Sequence, residues 1–478
     1  MKRENVFIVK AKDKSDVGMV IWILLAALIL RIAFSYYIVG HKTDINCFTA
    51  WGDRIAQSGF KNFYASFSDY PPGYMYILGL NSTIARALGH SIRLADGSYD
   101  LVYVTLIKLP AILADLASAY LVYWLARKKM RFVPSILLMS MVAFSPVMLY
   151  ISGGWGQIDQ ILSLFVALAI ILLMSNRPIT AGIAYGAAIL LKPQALMAGP
   201  LLAIAYMFYV FDDSFFAVTD VKCKDKKGMR FLKTVIAVVC ACAIIIISAI
   251  PFSTKELPWY QIIYEKYMGT ATSYKYASVN AYNIYALFGQ NWTNTEEIAF
   301  LGLNYAQVGT IGIVASVIFS AVLYIFGRKK HRGALLLAIA YLFAALFTLG
   351  HYMHERYLFP TLLLLILAYI LYSDRRLLWV FIPYGITLLI NCLASFYYSQ
   401  YFEFGLYWDE NLVFWCSLAN VLIFIWFTYI VIRIMIAGKT ADDVFAQTES
   451  PHPAAVNHKA KNKGKFKAAE KAAVKAKH

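Results

Sequence analysis

The sequence predicts an all-α protein that crosses a membrane many times. Sixty per cent of its 478 residues are hydrophobic and 16% are aromatic, whereas a soluble chain is about 45–50% apolar. The apolar residues form runs of spanning length, since about 20 helical residues cross a bilayer. The first run, residues 17–39, is too long for the core of a signal peptide, so we interpret it as an uncleaved first span.

Further apolar runs continue to residue 436. A pair of short helices is expected between residues 179 and 210, where Lys192 and Pro193 interrupt an apolar stretch and indicate a turn. With the first run, this pair and nine others, we predict twelve spans in one domain, residues 1–437, and a basic, disordered cytoplasmic tail, residues 438–478. The nine are residues 102–126, 133–151, 158–174, 231–251, 302–326, 333–350, 357–372, 377–397 and 412–436.

The basic residues predict the orientation of the chain. A net charge of +17 could suggest nucleic-acid binding, but lysines and arginines lie in short clusters between apolar runs, so we expect no nucleic-acid partner. Cytoplasmic loops are enriched in Lys and Arg, and the clusters share one side only if residues 40–101 contain no crossing. Both termini are then cytoplasmic, and residues 40–101 and 252–301 are large external loops. The clusters are residues 127–131, Arg177, 222–230, 327–333 and 373–376.

The stretch SDYPPGYMYILGLNSTIARALGH, residues 68–90, is apolar enough to pass for a span. This topology instead places it on the outer membrane surface. We predict that a helix opens at Pro71 and Pro72, because the N–H that proline lacks would be unpaired in the first turn. The stretch would then hold Asp69 and Tyr70 beside Asp44, which follows the first span.

Six short motifs resemble a known family through their order and their common predicted side. They resemble the GT-C glycosyltransferases, nearest the bacterial relatives of the GPI-anchor mannosyltransferases and, more distantly, the dolichol-linked glucosyltransferases. The resemblance covers residues 17–437 and implies a GT-C fold. It also implies an enzyme that transfers a sugar, mannose, from a polyprenyl-phosphate donor to an extracytoplasmic acceptor. The motifs are TDINCFTAW (43–51), DYPPGY (69–74), LADL (113–116), WGQIDQ (155–160), LKPQ (191–194) and HERYLFP (354–360).

Cationic side chains are needed where the sugar–phosphate bond breaks, because negative charge develops on the lipid phosphate. Arg356 and His354 are the candidates, and the HER triplet is similar to the His-Glu-Lys type motif of the family. Lys192 is a further candidate for the donor phosphate. The alternatives are that Arg356 only ends a helix in the headgroup region and that Lys192 extends to the membrane surface.

One carboxylate is needed to take the proton of the acceptor hydroxyl. Asp44 matches the first-loop Asp of the family, its general base, and we expect burial next to the first span to raise its basicity. A single base with direct displacement implies inversion at the anomeric carbon. Asp53 and Asp159 remain alternative bases, and Asp44 could be only a solvated boundary residue.

Other polar residues on the same predicted side are expected to bind the sugar or the acceptor. Trp155 and Asp159 would share one face if their turn were helical, which suits a sugar. The alternative is an interfacial anchor beside a helix-entry charge. The full set is Asp69, Tyr70, Trp155, Gln157, Asp159, Gln194, His351 and Glu355.

No metal and no cofactor are expected. His351, His354 and Glu355 have a helical spacing that could hold zinc, yet no HExxH pattern or third ligand accompanies them. The expected partners are the polyprenyl-phosphate sugar donor, a lipid-linked or glycan acceptor, and membrane lipids. A glycolipid, a lipid-linked oligosaccharide, a cell-wall polymer and a protein side chain all stay open as the acceptor.

Two charges lie inside predicted spans, Arg31 in the first and Asp115 in the second. Each would cost about 2.5–3.5 kcal/mol at the bilayer centre, so both should face inward and pair. We predict a structural ion pair.

Two other classes of function compete with the enzyme. A transporter or flippase of lipid-linked sugars would place polar residues near the middle of the bilayer on broken helices. An intramembrane hydrolase or metalloprotease would need a tighter nucleophile or metal set. Apart from the two large loops, the predicted external loops are short, and together with the lysine–alanine tail they favour a bacterial plasma membrane.

Overall fold

Helices make up most of the computed structural model, which describes residues 14–217, 223–269, 274–401 and 409–441. Most of the predicted tail therefore lies outside the described residues. The helices are α1 Lys14–Tyr37, α2 Lys42–Ser58, α3 Pro72–Ala87, α4 Leu101–Ala126, α5 Phe132–Ala143, α6 Pro146–Leu149, α7 Asp159–Met174, α8 Pro178–Leu191, α9 Gly199–Phe211, α10 Ser214–Ala217, α11 Lys227–Ala249, α12 Trp259–Tyr264, α13 Ile284–Leu287, α14 Tyr305–Gly327, α15 Ala334–Leu349, α16 Phe359–Tyr372, α17 Arg376–Tyr401 and α18 Glu410–Val431. The strands are β1 Ser278–Val279, β2 Ile298–Phe300, β3 Leu303–Asn304 and β4 Met353–His354.

Eight helical segments in the described part of the chain are long and apolar enough to cross a membrane. The chain is therefore mostly helical, as the sequence predicted for a polytopic membrane protein. Four shorter apolar helices, α7, α8, α15 and α16, accompany them. The eight are Asp16–Tyr37, Leu101–Ala126, Phe132–Trp155, Pro193–Phe211, Lys227–Phe252, Tyr305–Gly327, Arg376–Gln400 and Glu410–Ile436.

The helices α15 and α16 form the centre of the bundle. Every residue of α16, and all but the last residue of α15, is buried. Such helices are apolar all round because they have no face in contact with the surroundings. Helices α1, α11 and α14 lie outside and expose large apolar side chains such as Trp22, Val239 and Ile318.

The helices α2 and α3 pack against each other beside the end of α1. Pro71 is the N-cap of α3 and Pro72 its first residue, which confirms the predicted helix start. Neither α2 nor α3 is among the helices of spanning length and composition, which agrees with a segment 40–101 that contains no crossing. Aromatic rings join the two helices, as where Phe48 meets Tyr74 edge-on at 5.2 Å.

The basic clusters contact neighbouring helices at one end of the bundle. Trp155, Lys192 and Arg356 lie at or next to the opposite ends of helices that begin or end near these clusters, and Asp44 lies in α2, shortly after the far end of α1. The contacts are Arg127 with Asp16 at 3.4 Å, Arg328 with Asp212 at 2.6 Å, Lys129 with the carbonyl of Leu371 at 2.7 Å, and Arg376 with the carbonyl of Lys439 at 2.7 Å.

The predicted ion pair between Arg31 and Asp115 is confirmed. Arg31 Nε lies 2.7 Å from Asp115 Oδ2, and both side chains are fully buried between α1 and α4. Arg31 Nη1 also donates to the carbonyl of Ala143 at 2.5 Å. Ser152 Oγ donates to the same Asp115 oxygen at 2.5 Å, so the pair is joined to the turn that follows α6.

Loss of one partner of this pair should destabilise the protein strongly. We expect Arg31→Met to lower the free energy of unfolding by about 3–5 kcal/mol, because Asp115 is left buried and uncompensated. The double variant Arg31→Met/Asp115→Leu should be more stable than Arg31→Met alone. Thermal unfolding in detergent measures both effects. A single variant as stable as wild type, or a double variant that loses the sum of both singles, would contradict a structural pair.

Candidate functional site

Side chains from five separate segments meet at the end of the bundle opposite the basic clusters. Asp44 lies in the first turn of α2, Asp159 opens α7, and Lys192 follows α8 directly. Gln157 follows a π-helical turn, Tyr150–Trp155. Arg356 lies between β4 and α16. The structure therefore brings together most of the residues that the motifs singled out.

Asp44 is held by one of its two carboxylate oxygens. Trp155 Nε1 donates to Oδ2 at 2.6 Å, and Gln157 Nε2 donates to the same oxygen at 2.7 Å. Among the described residues, no hydrogen bond reaches Oδ1, and 24% of the side chain is exposed. The carboxylate is thus oriented by the protein and keeps one oxygen available to another molecule.

Gln157 connects Asp44 to the segment before α3. Its Oε1 accepts a hydrogen bond from the hydroxyl of Tyr70 at 2.9 Å and lies 3.4 Å from Lys192 Nζ. Tyr70 therefore lies beside Asp44, as predicted, with the side-chain amide of Gln157 between the two.

Two cations, buried Lys192 and partly buried Arg356, lie among three carboxylates. Lys192 Nζ contacts Asp159 Oδ1 at 2.7 Å, and the other oxygen of Asp159 lies 3.6 Å from Arg356 Nε. Arg356 Nη1 lies 3.9 Å from Asp44 Oδ2 and contacts the carboxylate of Glu355. Lys192 is buried and does not extend to the surface, and Arg356 lies between β4 and α16 with most of its side chain covered by neighbours.

Trp155 orients Asp44 and has no face open for a sugar. The ring of His41 stacks on it at 4.7 Å with an interplanar angle of 5°, and the Arg356 guanidinium carbon lies 4.5 Å from its ring centre. Only 1% of Trp155 is exposed. The indole therefore has no open face for the predicted sugar contact, since neighbouring side chains already cover it.

Trp155 and Asp159 do not share the predicted helical face, because the chain between them is not helical. The π-helical turn ends at Trp155, and Gly156 has a left-handed backbone with φ +90°. A new helix, α7, begins only at Asp159. The break lets Gln157 point at Asp44 while Asp159 points at Lys192.

The pKa of Asp44 lies below its ordinary value, contrary to the sequence expectation. Burial does raise it, but His41, Arg356 and the hydrogen bonds from Trp155 and Gln157 together outweigh burial. Asp44 is therefore ionised at neutral pH and is ready to accept a proton. Burial lowers the pKa of His41, so the ring beside Trp155 is neutral there.

The pKa of Asp69 is shifted in the opposite direction, above its ordinary value. Burial raises its pKa, and the charge of nearby Asp44 raises it further. Asp44 and Asp69 therefore titrate in different pH ranges, although they lie close enough to interact.

His354 cannot act as a cation at neutral pH. Burial, with the nearby charges of Arg356 and Lys192, lowers its pKa to about 3. The predicted cationic pair of His354 and Arg356 is corrected to a neutral imidazole beside a guanidinium. Burial lowers the pKa of Arg356, but Glu355 and the other carboxylates raise it above its ordinary value.

Three other predicted residues lie at the edge of this cluster or away from it. His351 packs against α14, where its Nε2 is 3.3 Å from the hydroxyl of Thr310. Asp53 pairs with exposed Arg86 at 2.8 Å on the outer side of α2 and α3, so it is no candidate base. Gln194 lies beside the phenol of Tyr357.

His41 and Lys108 belong to the site but were missed from the sequence. His41 is the N-cap of α2, just before the Asp44 motif, and its stacking on Trp155 and the 3.8 Å from its Nδ1 to Asp44 Oδ2 place it in the site. Lys108 lies inside the second span, where a lone charge is a signal that sequence reasoning could have used. No group of His, Cys, Asp and Glu in the described part of the chain has an arrangement that could hold a metal ion.

Comparisons with known proteins do not identify a relative. No model of a known protein family matches the sequence, and no curated protein matches it either. The GT-C resemblance therefore rests on the motifs alone.

Gly156 should be intolerant of any side chain. A Cβ there would lie 3.0 Å from Ile45 Cδ1 and 3.2 Å from Lys108 Cγ, in a backbone with φ +90°. We expect Gly156→Ala to lower the free energy of unfolding by more than the roughly 1–2 kcal/mol of a left-handed residue alone. Gly89→Ala is the matched control, since Gly89 has φ +85° and nothing within 4 Å. Equal melting temperatures for the two variants would argue against close packing at the turn.

Proposed function

We propose that this protein is a membrane glycosyltransferase of the GT-C type, which transfers a hexose from a polyprenyl-phosphate donor to an extracytoplasmic acceptor. The observation that carries the proposal is the carboxylate of Asp44, which two donors hold by Oδ2 while Oδ1 stays open. Arg356 Nη1 lies 3.9 Å from Oδ2, and Lys192 reaches the same group through Gln157. A base aimed at a site with cations nearby suits a hydroxyl that attacks a sugar phosphate.

In the proposed reaction the acceptor hydroxyl oxygen attacks the anomeric carbon. Its proton passes to Asp44 Oδ1, and the bond from the anomeric carbon to the phosphate oxygen breaks with its electron pair on the phosphate. This single displacement inverts the anomeric centre. The low pKa of Asp44 keeps it ionised before each turnover.

Arg356 and Lys192 are the proposed donor-phosphate ligands. Lys192 is buried and Arg356 partly buried, and both already face carboxylates, so phosphate oxygens would compete with Asp159 for them. A charge-assisted bond to a phosphate is strong in surroundings from which water is excluded. Neutral His354 would add at most one N–H donor.

The proposed topology has twelve crossings with both termini in the cytoplasm. The eight long and four shorter apolar helices follow the twelve predicted runs in order. The basic clusters lie at one end of these helices and the site at the other. Because Lys and Arg concentrate on the cytoplasmic side, this arrangement favours an external site in the plasma membrane.

The donor sugar and the lipid-linked or glycan acceptor remain inferences from the family resemblance, and mannose is the first donor to test. The alternative, a flippase of lipid-linked sugars, would need its polar residues near the bilayer centre. Here the open carboxylate oxygen and both cations lie near helix ends.

Replacement of the proposed base should abolish transfer. Purified protein with radiolabelled polyprenyl-phosphate-mannose and membrane lipid extract should yield a labelled lipid, and Asp44→Asn should reduce the rate by about 10²–10⁴-fold. Asp53→Asn is the matched control on the same helix and should keep wild-type activity, since Asp53 pairs with exposed Arg86. A wild-type protein that moves lipid between leaflets but transfers no sugar from any such donor would overturn the proposal.

The pH dependence of transfer should identify the base. If Asp44 is the base, activity is lost only as pH falls through a pKa below the usual 3.8, because a protonated Asp44 can no longer take the proton of the acceptor hydroxyl. If Asp69 is the base, activity falls at a higher pH, since its pKa is raised. Rates per folded enzyme in short assays, with stability checked at each pH, separate the two. If the acid limb of the pH profile lies above the usual carboxylate range and disappears in Asp69→Asn, the role of base belongs to Asp69.

A further inference from the structure

Lys108 is a fully buried lysine in the first half of α4. None of its side chain is exposed. Its ammonium donates to the carbonyls of Ile38 at 2.6 Å, Gly153 at 2.9 Å and Gly154 at 3.0 Å. All three acceptors are backbone oxygens, and three acceptors match the three N–H groups of an ammonium.

These carbonyls come from places where helices end or change. Ile38 follows α1, and Gly153 and Gly154 lie in the π-helical turn. Carbonyls at such positions lack regular helical partners, and a buried carbonyl without a partner is costly. The lysine satisfies three of them at once, which offsets part of the cost of burying its charge.

The two segments that Lys108 joins are the two halves of the Asp44 site. Ile38 shortly precedes His41 and Asp44, and Gly153–Gly154 lead directly into Trp155 and Gln157. Trp155 and Gln157 are the two donors to Asp44 Oδ2. The ammonium therefore ties the backbone just before the carboxylate to the backbone just before its two donors.

We propose that Lys108 is a positioning residue of this site: its ammonium fastens the end of α1 to the 150–155 turn and so sets the two hydrogen bonds that orient Asp44. The orienting role stands on the contacts alone, whereas its effect on sugar transfer rests on the proposed function. Lys108 is not a catalytic residue, because all three of its donors are already used by the backbone.

Hydrogen exchange tests the orienting role without reference to activity. In Lys108→Met we expect amides of residues 38–44 and 150–157 to exchange about tenfold faster or more, because the carbonyl tie is lost. Lys108→Arg retains N–H donors and should stay closer to wild type. Arg127→Met is the matched control, since it removes a cation from the opposite end of α4 and should leave both segments unchanged. Should Lys108→Met fail to fold, Lys108→Gln, which keeps amide donors, serves with a smaller expected change.

The pH profile of transfer tests the catalytic consequence. Lys108→Met should lower kcat about 10–100-fold, as a small misplacement of a catalytic group does, with little change in KM. Its acid limb should move to higher pH, because weaker hydrogen bonds from Trp155 and Gln157 no longer depress the pKa of Asp44. A purely structural role would reduce the amount of active enzyme without moving this limb.

The outcomes separate the two proposals. If wild type transfers no sugar, the proposed function fails and the exchange experiment alone decides the role of Lys108. If wild type is active but Lys108→Met exchanges like wild type and keeps its acid limb, the positioning role is wrong and the proposed function stands. Faster exchange throughout the bundle, equally in Arg127→Met, would also overturn the positioning role.

Discussion

The two hydrogen bonds from Trp155 and Gln157 to one oxygen of Asp44 are the interaction on which the rest of the site depends. Both donors come from the segment after α6, where a π-helical turn and the left-handed Gly156 interrupt an otherwise spanning helix. The interruption costs regular backbone hydrogen bonds, and polar side chains replace them. Lys108 donates to the carbonyls of Gly153 and Gly154 in the turn and to that of Ile38 after α1, and Ser152 donates to Asp115.

A continuous set of buried polar contacts therefore runs from within the bundle to the site. It begins at the Arg31–Asp115 pair, continues through Ser152 into the turn, and ends at Asp44. Each member would be expensive alone in apolar surroundings, because an unpaired buried charge or carbonyl loses its solvation without compensation. Together they give the turn one conformation, and a catalytic carboxylate needs such a fixed position.

The surroundings of each residue then give different protonation states to residues that look alike in the sequence. Asp44 has donors and cations around it and keeps a low pKa, whereas Asp69 is buried with a like charge nearby and has a raised one. Arg356 stays charged among carboxylates, while the adjacent motif residue His354 is neutral. Their segment includes β4, which pairs in parallel with β1 from the connection between α11 and α14.

Local chemistry in the sequence determined the helical membrane class, the order of the apolar helices, the helix start at Pro72 and the Arg31–Asp115 pair. Apolar run length, proline geometry and the cost of a buried charge are properties of short segments, so they can be read without a structure. Only the tertiary structure decided which oxygen of Asp44 is held, that His41 and Arg356 cover Trp155, and that Lys108 joins α1 to the turn. Asp44 and Trp155 are 111 residues apart, and the pKa of each group depends on neighbours from such distant segments. No local pattern encodes those distances, because they arise only when the helices pack.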